Sequence, residues 1–343
     1  MRTQCSQCVM DRSAEEITFD ENGVCNFCHQ AQKSLKEIKG EKHKLPEIIE
    51  QIKKDGKKYD VLIGLSGGAD SSYALLRAVG MGLKPLCFSV DNGWNDPRAD
   101  ENIMKLVEGL KVPFYRYVLD IKKFNQLQAA FISSGLINAE IPTDHVLMAV
   151  SLELASLYGI KYIISGGNVA TESTMPPSWG YNARDLVHIK DVYKKASGKK
   201  LTGLPVCGLL KWNYYKWIKG IKTVYLLDYI EYDRDKAIKT LEEEFGYQNY
   251  GAKHEESVFT SWFQNFYLYE KFAIDKRKPH LSSMINSGQM TRDEALFFLT
   301  ANPVYPELGI EKRVMEYPKK SHYDFKTDEG LFNAISKFIK LWR

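Results

Sequence analysis

A seven-residue segment rich in glycine and serine is the first place in this sequence where chemistry can be expected. Residues 66–72 read SGGADSS and stand between a short apolar run at 59–65 and a stretch with helical periodicity. This order is typical of a strand, a glycine turn and a helix. Two adjacent glycines let successive backbone N–H groups and the helix N-terminus converge on an anion. We therefore predict a phosphate-binding loop.

The side chains of this segment fit the same interpretation. Ser66, Ser71 and Ser72 supply hydroxyl donors, and Asp70 can hold Mg²⁺ against bound phosphates. The segment has no lysine and lacks the G-x4-G-K-[ST] pattern, so Walker-type transfer of a γ-phosphate is disfavoured. A glycine turn that only caps a helix is the plain alternative. Five fixed residues would arise by chance in such a chain only about once in a few thousand sequences, which favours phosphate binding.

A second group with chemical potential lies at the N-terminus, where four of the six cysteines occur: Cys5, Cys8, Cys25 and Cys28. Two C-x2-C pairs at this separation are typical of two knuckles that give four thiolates to one tetrahedral Zn²⁺. Two alternatives stay open. The cysteines could form two disulfides, which a reducing cytoplasm disfavours, or they could hold iron in the same geometry. We predict a structural zinc site.

Composition and charge narrow the class of protein. The chain has 343 residues, 44% of them hydrophobic, which is enough for about two domains with buried cores. No run approaches about eighteen apolar residues, and the N-terminus lacks the basic-then-apolar layout of a secretory signal. We therefore expect a cytoplasmic protein with no membrane partner. The net charge of +4 is mild and does not call for nucleic acid.

The elements around the predicted loop alternate between strands and helices. Apolar runs typical of buried strands recur at 59–65, 84–90, 113–118 and 161–167, and helical patterns stand between or after them at 71–82, 97–110, 121–134 and 144–158. This alternation predicts an α/β fold with a parallel twisted sheet and helices on both faces. Ligands of such a sheet bind at the carboxyl ends of its strands, which is where the predicted loop stands.

The strand signal fades from about residue 231, and the remainder reads as helical. Helical patterns lie at 235–245, 257–274, 291–299 and 330–342, and Thr291 with Glu294 forms a capping box. We divide the chain into a zinc-binding module at 1–30, a helical linker at 31–58, an ATP-binding α/β domain at 59–230 and a mostly helical substrate or partner part at 231–343.

The segment SGGADS resembles the SGGxDS signature of the PP-loop ATP pyrophosphatases, which have a HUP-like α/β fold. The resemblance implies that ATP, with Mg²⁺, is split between its α and β phosphates. It further implies that a carbonyl oxygen of the substrate is adenylated and that a nitrogen or sulfur nucleophile then expels AMP. The nucleotide-binding residues that it implies are Ser66, Gly67, Gly68, Asp70, Ser71 and Ser72 in the loop, Val90, Asp91 and Asn92 after the second strand, and Gly166, Gly167 and Asn168 after the fourth.

A narrower resemblance covers the chain nearly end to end. Residues 250–260, 275–282 and 287–292 resemble the C-terminal signature of the N-acetyl sugar amidotransferases of lipopolysaccharide O-antigen and flagellar sugar biosynthesis, and the N-terminal cysteine pairs match as well. The resemblance implies that the acetamido group of a nucleotide-linked N-acetyl sugar is converted into an acetamidino group. It also implies that a separate glutaminase and cyclase-like pair delivers the ammonia.

The sequence itself offers no residue that would release ammonia from glutamine. Residue 2 is arginine, so removal of Met1 would not expose an N-terminal cysteine nucleophile. Cys87 and Cys207 do not stand on a nucleophile elbow between glycines, and we expect both to pack as small apolar groups. The ammonia must then come from a partner.

Two other classes of function remain as alternatives. Several tRNA thiolases resemble this layout, but they generally use cysteines or an iron–sulfur cluster inside the α/β domain, and neither Cys87 nor Cys207 sits in a C-x2-C. A nucleotide-sensing or zinc-mediated binding module would leave the C-terminal signature unexplained. Assembly into a homo-oligomer also stays open.

Three residues outside the loop are candidates for contact with the substrate. Asp144 precedes a predicted helix and is expected near the mouth of the loop, although it or Thr143 could simply be the helix N-cap. Trp179 and Tyr181 stand in a polar and aromatic connection. They can stack on a sugar ring, and packed aromatic side chains are the equally plain alternative.

Two polar clusters in the C-terminal part complete the predicted site. Lys253, His254 and Glu256 precede an aromatic helix, with a solvated helix start as the plain alternative. Lys253 would stabilise phosphate charge, and His254 or Glu256 would accept a proton from attacking ammonia. Lys276 and Arg277 belong to a charge run of a kind that is usually solvated; beside a site that releases pyrophosphate they would lower the barrier. The predicted catalytic residues are Asp70, Asp144, Lys253, His254, Glu256, Lys276 and Arg277.

Overall fold

The computed structural model describes residues 3–180, 182–251, 253, 255–319, 325–328 and 330. The strands are β1 (Val61–Gly64), β2 (Pro85–Asp91), β3 (Phe114–Val118), β4 (Tyr162–Ser165) and β5 (Lys222–Tyr225). The helices are α1 (Asn26–Glu41), α2 (Leu45–Asp55), α3 (Ala69–Gly80), α4 (Pro97–Gly109), α5 (Ile121–Ser133), α6 (Ile141–Leu157), α7 (Val169–Glu172), α8 (Leu186–Ser197), α9 (Leu209–Asn213), α10 (Leu226–Tyr229), α11 (Arg234–Phe245), α12 (Val258–Trp262), α13 (Leu268–Phe272), α14 (Arg277–Asn286), α15 (Arg292–Phe298) and α16 (Glu311–Glu316).

The five strands form one parallel sheet in the order β3-β2-β1-β4-β5. Side chains of β1 alternate between two cores: Leu62 packs with α6 on one face, while Val61 and Ile63 pack with α3 on the other. The chain runs outward from β1 to β3 and then places β4 on the other side of β1. This reversal leaves a crevice at the carboxyl ends of β1 and β4, the usual ligand site of an open α/β sheet. The predicted fold class is confirmed.

Two details differ from the expectation. Strand β5 was not expected, because its sequence KTVY has three exposed residues out of four and no apolar run that would signal a strand. It adds to the sheet as an edge strand beside β4. Helix α6 begins at Ile141 with Glu140 as its N-cap residue, so the interpretation of Thr143 or Asp144 as the cap is wrong. Pro142 suits the first turn of this helix, where no backbone donor is needed.

The C-terminal part is helical, as predicted. Thr291 and Glu294 form the expected capping box at the start of α15. A turn of π-helix at Phe263–Tyr267 joins α12 to α13, and a similar turn at Tyr214–Ile218 extends α9. The helix predicted at 330–342 lies outside the described residues apart from residue 330. The four-part division of the chain stays a prediction. In the part of the chain that the structure describes, no helix is long and apolar enough to cross a membrane.

The four N-terminal cysteines converge, as predicted. Their Sγ atoms all lie within 4.8 Å of one another, and all four side chains are buried. The Cys5–Cys28 and Cys8–Cys25 Sγ pairs are 3.9 and 3.7 Å apart, whereas a disulfide bond is ~2.05 Å long. Four thiolates bound to one tetrahedral ion at ~2.3 Å would have about the observed separation. The donor set therefore fits zinc or iron and disfavours the two-disulfide alternative.

The cysteine module packs against α14 and the start of α15. The Arg292 guanidinium donates to the carbonyl oxygens of Cys5 and Cys8, each at 3.2 Å. The backbone N–H of Val9 donates to Ser282 Oγ of α14 at 3.3 Å. Because these bonds satisfy backbone groups of the first knuckle, the module is fixed to the C-terminal part.

Replacing Cys5 with serine removes one of four thiolates, so the metal content should fall from about one ion per chain to near zero. The midpoint of thermal unfolding should fall as well, because the binding energy of a structural ion contributes directly to folding. Elemental analysis of the purified protein measures the metal and distinguishes zinc from iron. The Cys87→Ser variant, whose thiol lies in the sheet core, should keep its metal. A Cys5→Ser protein with full metal content would contradict the assignment.

Candidate functional site

The SGGADSS segment lies where β1 turns into α3, as predicted. Gly67 has φ +84°, and a side chain at this position would overlap the backbone of Ala99, so both conformation and space require glycine. Ser71 Oγ donates a hydrogen bond to Gly68 O at 3.2 Å. It also accepts a hydrogen bond from Ser66 N at 3.3 Å. The loop is thus held in shape by its own hydroxyl and backbone groups.

The turn after β4 packs directly against this loop. A Cβ atom on Gly166 would lie 2.7 Å from Ser71 N and 2.9 Å from Ser71 Cα. No side chain can be accommodated at such distances unless the backbone of α3 moves. The glycine turn after β4 and the loop after β1 therefore close the crevice between these two strands together.

A cavity of about 690 Å³ opens at this crevice. Its volume lies in the usual range for small-ligand sites. Most of the predicted site residues line it: Ser66, Gly68, Asp70, Ser71, Val90, Asn92, Asp144, Gly166, Gly167, Lys253, Glu256 and Lys276.

Four predicted nucleotide contacts, Gly67, Ser72, Asp91 and Asn168, do not line the cavity. Ser72 is buried in α3. Asp91 Oδ1 accepts a bond from Gly93 N at 3.0 Å, and Asn168 Oδ1 accepts one from Thr171 N at 2.9 Å. Asp91 and Asn168 therefore bond within the turns that carry them, and a contact of the four residues with a nucleotide stays a prediction.

Lys253 makes polar contacts with three side chains beside the loop. Its Nζ lies 2.8 Å from Asp70 Oδ2, 2.7 Å from Glu172 Oε1 and 2.7 Å from Thr171 Oγ1. Tyr232 donates its hydroxyl to the other oxygen of Asp70. Burial alone would lower the pKa of Lys253, but the carboxylates of Asp70 and Glu172 outweigh it and the pKa is raised. Lys253 therefore holds a fixed positive charge at the phosphate loop.

The same ion pair sets the charge of Asp70. Burial alone would raise its pKa, but the Lys253 ammonium and the Tyr232 hydroxyl outweigh that effect and the pKa is lowered. Asp70 is thus an ionised oxygen donor that faces the cavity, the kind of ligand that Mg²⁺ takes. The residues present fit the predicted role of Asp70 in holding that ion with the phosphates of ATP.

A second polar group lines the cavity around the first turn of α6. Burial, helped by the nearby Asp144 carboxylate, raises the pKa of Glu140 to about 8; the Thr260 hydroxyl, 3.3 Å from Glu140 Oε1, opposes the shift. Burial raises the pKa of Asp144 to about 6, with Lys276 opposing, and burial lowers the pKa of Lys276 to about 8. Groups that titrate near neutral pH in a cavity are suited to exchange protons with a bound substrate.

Four residues that line the cavity or contact Asp70 were not predicted: Glu140, Glu172, Tyr232 and Arg234. Glu140 precedes the helix predicted at 144–158, and it caps α6 because that helix begins earlier, at Ile141. Tyr232 and Arg234 follow the end of the sheet with no recognisable motif. The sequence did contain a signal for Glu172, because this residue ends the short helix α7 that follows the predicted glycine turn.

Some predicted roles are not supported by the geometry. Arg277 does not line the cavity; its guanidinium forms a bidentate pair with Asp275 and donates to Ala301 O at 2.7 Å. Trp179 is buried and donates to Ser13 O at 3.2 Å, so it is a packed aromatic side chain that cannot stack on a ligand. His254 and Tyr181 lie outside the described residues.

The fold and the site define a class. The predicted parallel sheet, the SGGADS loop after its first strand and the glycine turn after its fourth are all present, and the structure adds the strand order 3-2-1-4-5 and the contact between the turn and the loop. The expected resemblance to this superfamily is confirmed at the level of fold.

Comparison with known proteins supports the narrower resemblance. Residues 256–339 match the family described as LPS biosynthesis protein WbpG-like, C-terminal domain. An uncharacterized protein of Methanocaldococcus jannaschii is 27% identical over 168 residues, a match that covers 48% of this chain and 58% of that protein. The chain thus spans less than two thirds of the length of this relative.

Three solved structures align with this chain at low sequence identity and a low TM-score. NMN synthetase from Francisella tularensis aligns with a TM-score of 0.29 and 16% identity, over 69% of this chain and 92% of the other. The U34-tRNA thiolase NcsA from Methanococcus maripaludis aligns with a TM-score of 0.35 and 14% identity, over 92% of this chain and 97% of the other. NH3-dependent NAD synthetase from Campylobacter jejuni aligns with a TM-score of 0.31 and 14% identity, over 62% of this chain and 93% of the other. Similarity this low carries no activity over to this chain.

Replacing Gly166 with alanine should weaken ATP binding by about tenfold or more, because the new Cβ must displace the backbone of the loop and overpacking costs ~1–3 kcal/mol. Titration calorimetry with ATP measures the affinity. The control is Gly80→Ala, at the end of α3, where no atom lies within 4 Å of the added Cβ. Equal ATP affinity in both variants would show that the two turns do not form one nucleotide site.

Proposed function

We propose that this protein is an AMP-forming, ATP-dependent amidotransferase. It adenylates the acetamido oxygen of a nucleotide-linked N-acetyl sugar and replaces that oxygen with ammonia, which gives an acetamidino sugar for O-antigen or a related surface polysaccharide. One observation carries the proposal: Glu256 and Lys276, from the region that matches the WbpG-like C-terminal domain, line the same cavity as Ser66 and Asp70 of the phosphate loop.

In the first half-reaction the amide oxygen attacks the α-phosphorus of ATP, and the bond from that phosphorus to pyrophosphate breaks. The backbone N–H groups of the loop and the hydroxyls of Ser66 and Ser71 bind phosphate oxygens. The fixed ammonium of Lys253 neutralises charge on the departing pyrophosphate. Mg²⁺, held by Asp70, would add to this neutralisation when bound.

In the second half-reaction ammonia attacks the carbon of the O-adenylyl imidate. The carbon–oxygen bond breaks, and AMP leaves with the former amide oxygen. The attacking nitrogen gives up a proton, and the acceptors that face the cavity are Glu256 and Asp144. Adenylation is needed because an amide oxygen, lost as hydroxide, is a poor leaving group; the protein contributes position and charge.

A separate glutaminase and cyclase-like pair would supply the ammonia. Cys87 and Cys207 are both fully buried, and burial raises the pKa of their thiols to about 12 and about 11. A buried thiol with a raised pKa is a poor nucleophile, so neither cysteine is suited to hydrolyse glutamine.

The same two cysteines count against tRNA thiolation. Cys87 packs in the core on the α3 face of the sheet, and Cys207 packs in the core on the α6 face. Cysteines on opposite faces of a sheet cannot act together on one sulfur atom or ligate one cluster. The N-terminal cysteines are engaged with one another and form their own site.

Purified protein supplied with ATP, MgCl₂, ammonium chloride and a panel of UDP-linked N-acetyl sugars should release AMP and pyrophosphate and convert one sugar into a product one mass unit lighter. Chromatography of the nucleotides and mass spectrometry of the sugars measure both. Asp70→Asn should form AMP on the order of a hundredfold more slowly, because asparagine lacks the carboxylate that would hold Mg²⁺ at the phosphates. Release of ADP, or sulfur incorporation into tRNA, would contradict the proposal.

A further inference from the structure

One cation that lines the cavity, Arg234, has no part in the chemistry described above. It is the first residue of α11. Its backbone N–H donates to Gln289 Oε1 at 3.1 Å, and Gln289 Nε2 donates to Tyr232 O at 3.2 Å, so one glutamine fixes the turn that leads into this helix. Tyr232, in the same turn, bonds to Asp70 of the phosphate loop. Arg234 is therefore held close to that loop.

The guanidinium of Arg234 uses few of its donors within the described part of the protein. Its side-chain hydrogen bond there goes from Nη2 to Gly251 O at 3.3 Å. It has no ion-pair partner among the described residues, in contrast to Arg98 and Arg277, each of which binds a nearby carboxylate. A guanidinium presents several N–H donors in a planar fork that matches the oxygens of a phosphate. Most of these donors of Arg234 remain for a ligand.

The carboxylates next to the phosphate loop outnumber the ammonium groups. Asp70 and Glu172 share the single ammonium of Lys253. A third carboxylate is close, because a Cβ atom on Gly68 would lie 3.2 Å from Glu256 Oε1. ATP would bring several more negative charges to this loop. Mg²⁺ at Asp70 would offset part of them when bound, and a further cation from the chain would have to offset another part.

Arg234 is the cation of the cavity that is placed to do this. Its charge reaches Asp70: burial alone would raise the pKa of that carboxyl, and Arg234 is one of the groups, after Lys253, that lower it instead. Lys276, the other lysine that lines the cavity, interacts with Asp144 at the first turn of α6. Its charge is therefore directed to a different part of the cavity.

A buried hydroxyl lies on the same side of the loop. Tyr250 lines the cavity, and its hydroxyl oxygen lies 3.3 Å from the position that a Cβ atom on Gly68 would take. Within the described ranges this oxygen is buried and has no hydrogen-bond partner. A buried hydroxyl without a partner is costly, and a bound anion would satisfy it. Because Arg234 bonds to Gly251, the next residue, both groups can donate to one ligand.

We propose that Arg234 binds the β- and γ-phosphates of ATP and keeps hold of them as pyrophosphate, with the Tyr250 hydroxyl as a second donor. The inference rests on the proposed function, in which pyrophosphate is the leaving group. The bond that breaks joins the α-phosphorus to the bridging oxygen, and that oxygen leaves with the electron pair. Arg234 stays protonated throughout and stabilises the charge that develops on the leaving phosphates.

Titration calorimetry of the full-length protein with sodium pyrophosphate, AMP and UDP, each with MgCl₂, tests the assignment. Arg234→Ala should bind pyrophosphate about tenfold or more weakly and AMP within about twofold of the unaltered protein, because charged hydrogen bonds to the outer phosphates alone are lost. Arg234→Lys keeps the charge without the planar fork, so its affinity for pyrophosphate should lie between the two.

Arg98→Ala is the matched control. The Arg98 guanidinium lies 5.8 Å from the centre of the Tyr250 ring, but it is bound to Asp96 and does not line the cavity. This variant should bind all three ligands as the unaltered protein does. Tyr250→Phe removes the hydroxyl alone and should weaken pyrophosphate binding about fivefold with AMP binding unchanged. Full pyrophosphate affinity in Tyr250→Phe would overturn the second donor.

Three results with Arg234→Ala would overturn the main assignment. Unchanged affinity for pyrophosphate would show that the residue does not contact it. Equal weakening of pyrophosphate and AMP would show that Arg234 shapes the whole site. Weaker UDP binding with pyrophosphate binding intact would place Arg234 on the diphosphate of the sugar nucleotide.

The binding measurements do not depend on turnover, so this inference and the proposed function fail separately. If the unaltered protein forms no AMP with any sugar of the panel, the proposed function fails. A selective loss of pyrophosphate affinity in Arg234→Ala would still place this residue at the pyrophosphate. If AMP is formed and that selective loss is not seen, the proposed function stands and the role of Arg234 is overturned.

Discussion

The arrangement of the site depends on one interaction, the ammonium of Lys253 held between two carboxylates. Asp70 comes from the first turn of α3, Glu172 from the end of α7, and Lys253 from the loop before α12, and their atoms meet at 2.8 and 2.7 Å. A charge removed from water is costly unless it is paired, so each partner requires the other two. The interaction therefore fixes three segments that are distant in sequence. It also places an ammonium group, paired with two carboxylates, beside the loop in which phosphates are expected.

Helix α14 supports this junction from behind. Ser287 Oγ donates to Ala170 O at 2.8 Å, and Thr174 N donates to Ser283 Oγ at 3.0 Å, so the segment that carries Glu172 is bonded to the helix on both sides. The cysteine module packs on the same helix through Val9 and Ser282. Lys276, the N-cap residue of α14, lines the cavity. The four-cysteine cluster, which is remote from the loop at 66–72 in sequence, is thus connected to the cavity through a single helix.

Short sequence patterns predicted most of the strands, helices and loops of this protein correctly. They did not predict contacts between segments that are distant in sequence. The loop at 66–72, the four cysteines and most of the strands and helices each carry a signal within a few residues. Tyr232 belongs to the site only because the chain returns to Asp70, and no local pattern reports that return. Arg277 is a different case: its charge was read as catalytic, and in the structure Asp275, two residues away, binds it. Strand β5 was missed because an exposed edge strand lacks the apolar run of a buried one.

The central claim is that the oxygen removed from the substrate leaves on AMP. The most direct measurement supplies a nucleotide-linked N-acetyl sugar that carries oxygen-18 in its acetamido group, together with ATP, Mg²⁺ and ammonium, and weighs the AMP by mass spectrometry. The account predicts one labelled oxygen in AMP for each acetamidino sugar formed, with unlabelled pyrophosphate. AMP without the label would contradict it, because the nucleotide would then have been cleaved by water without adenylation of the amide.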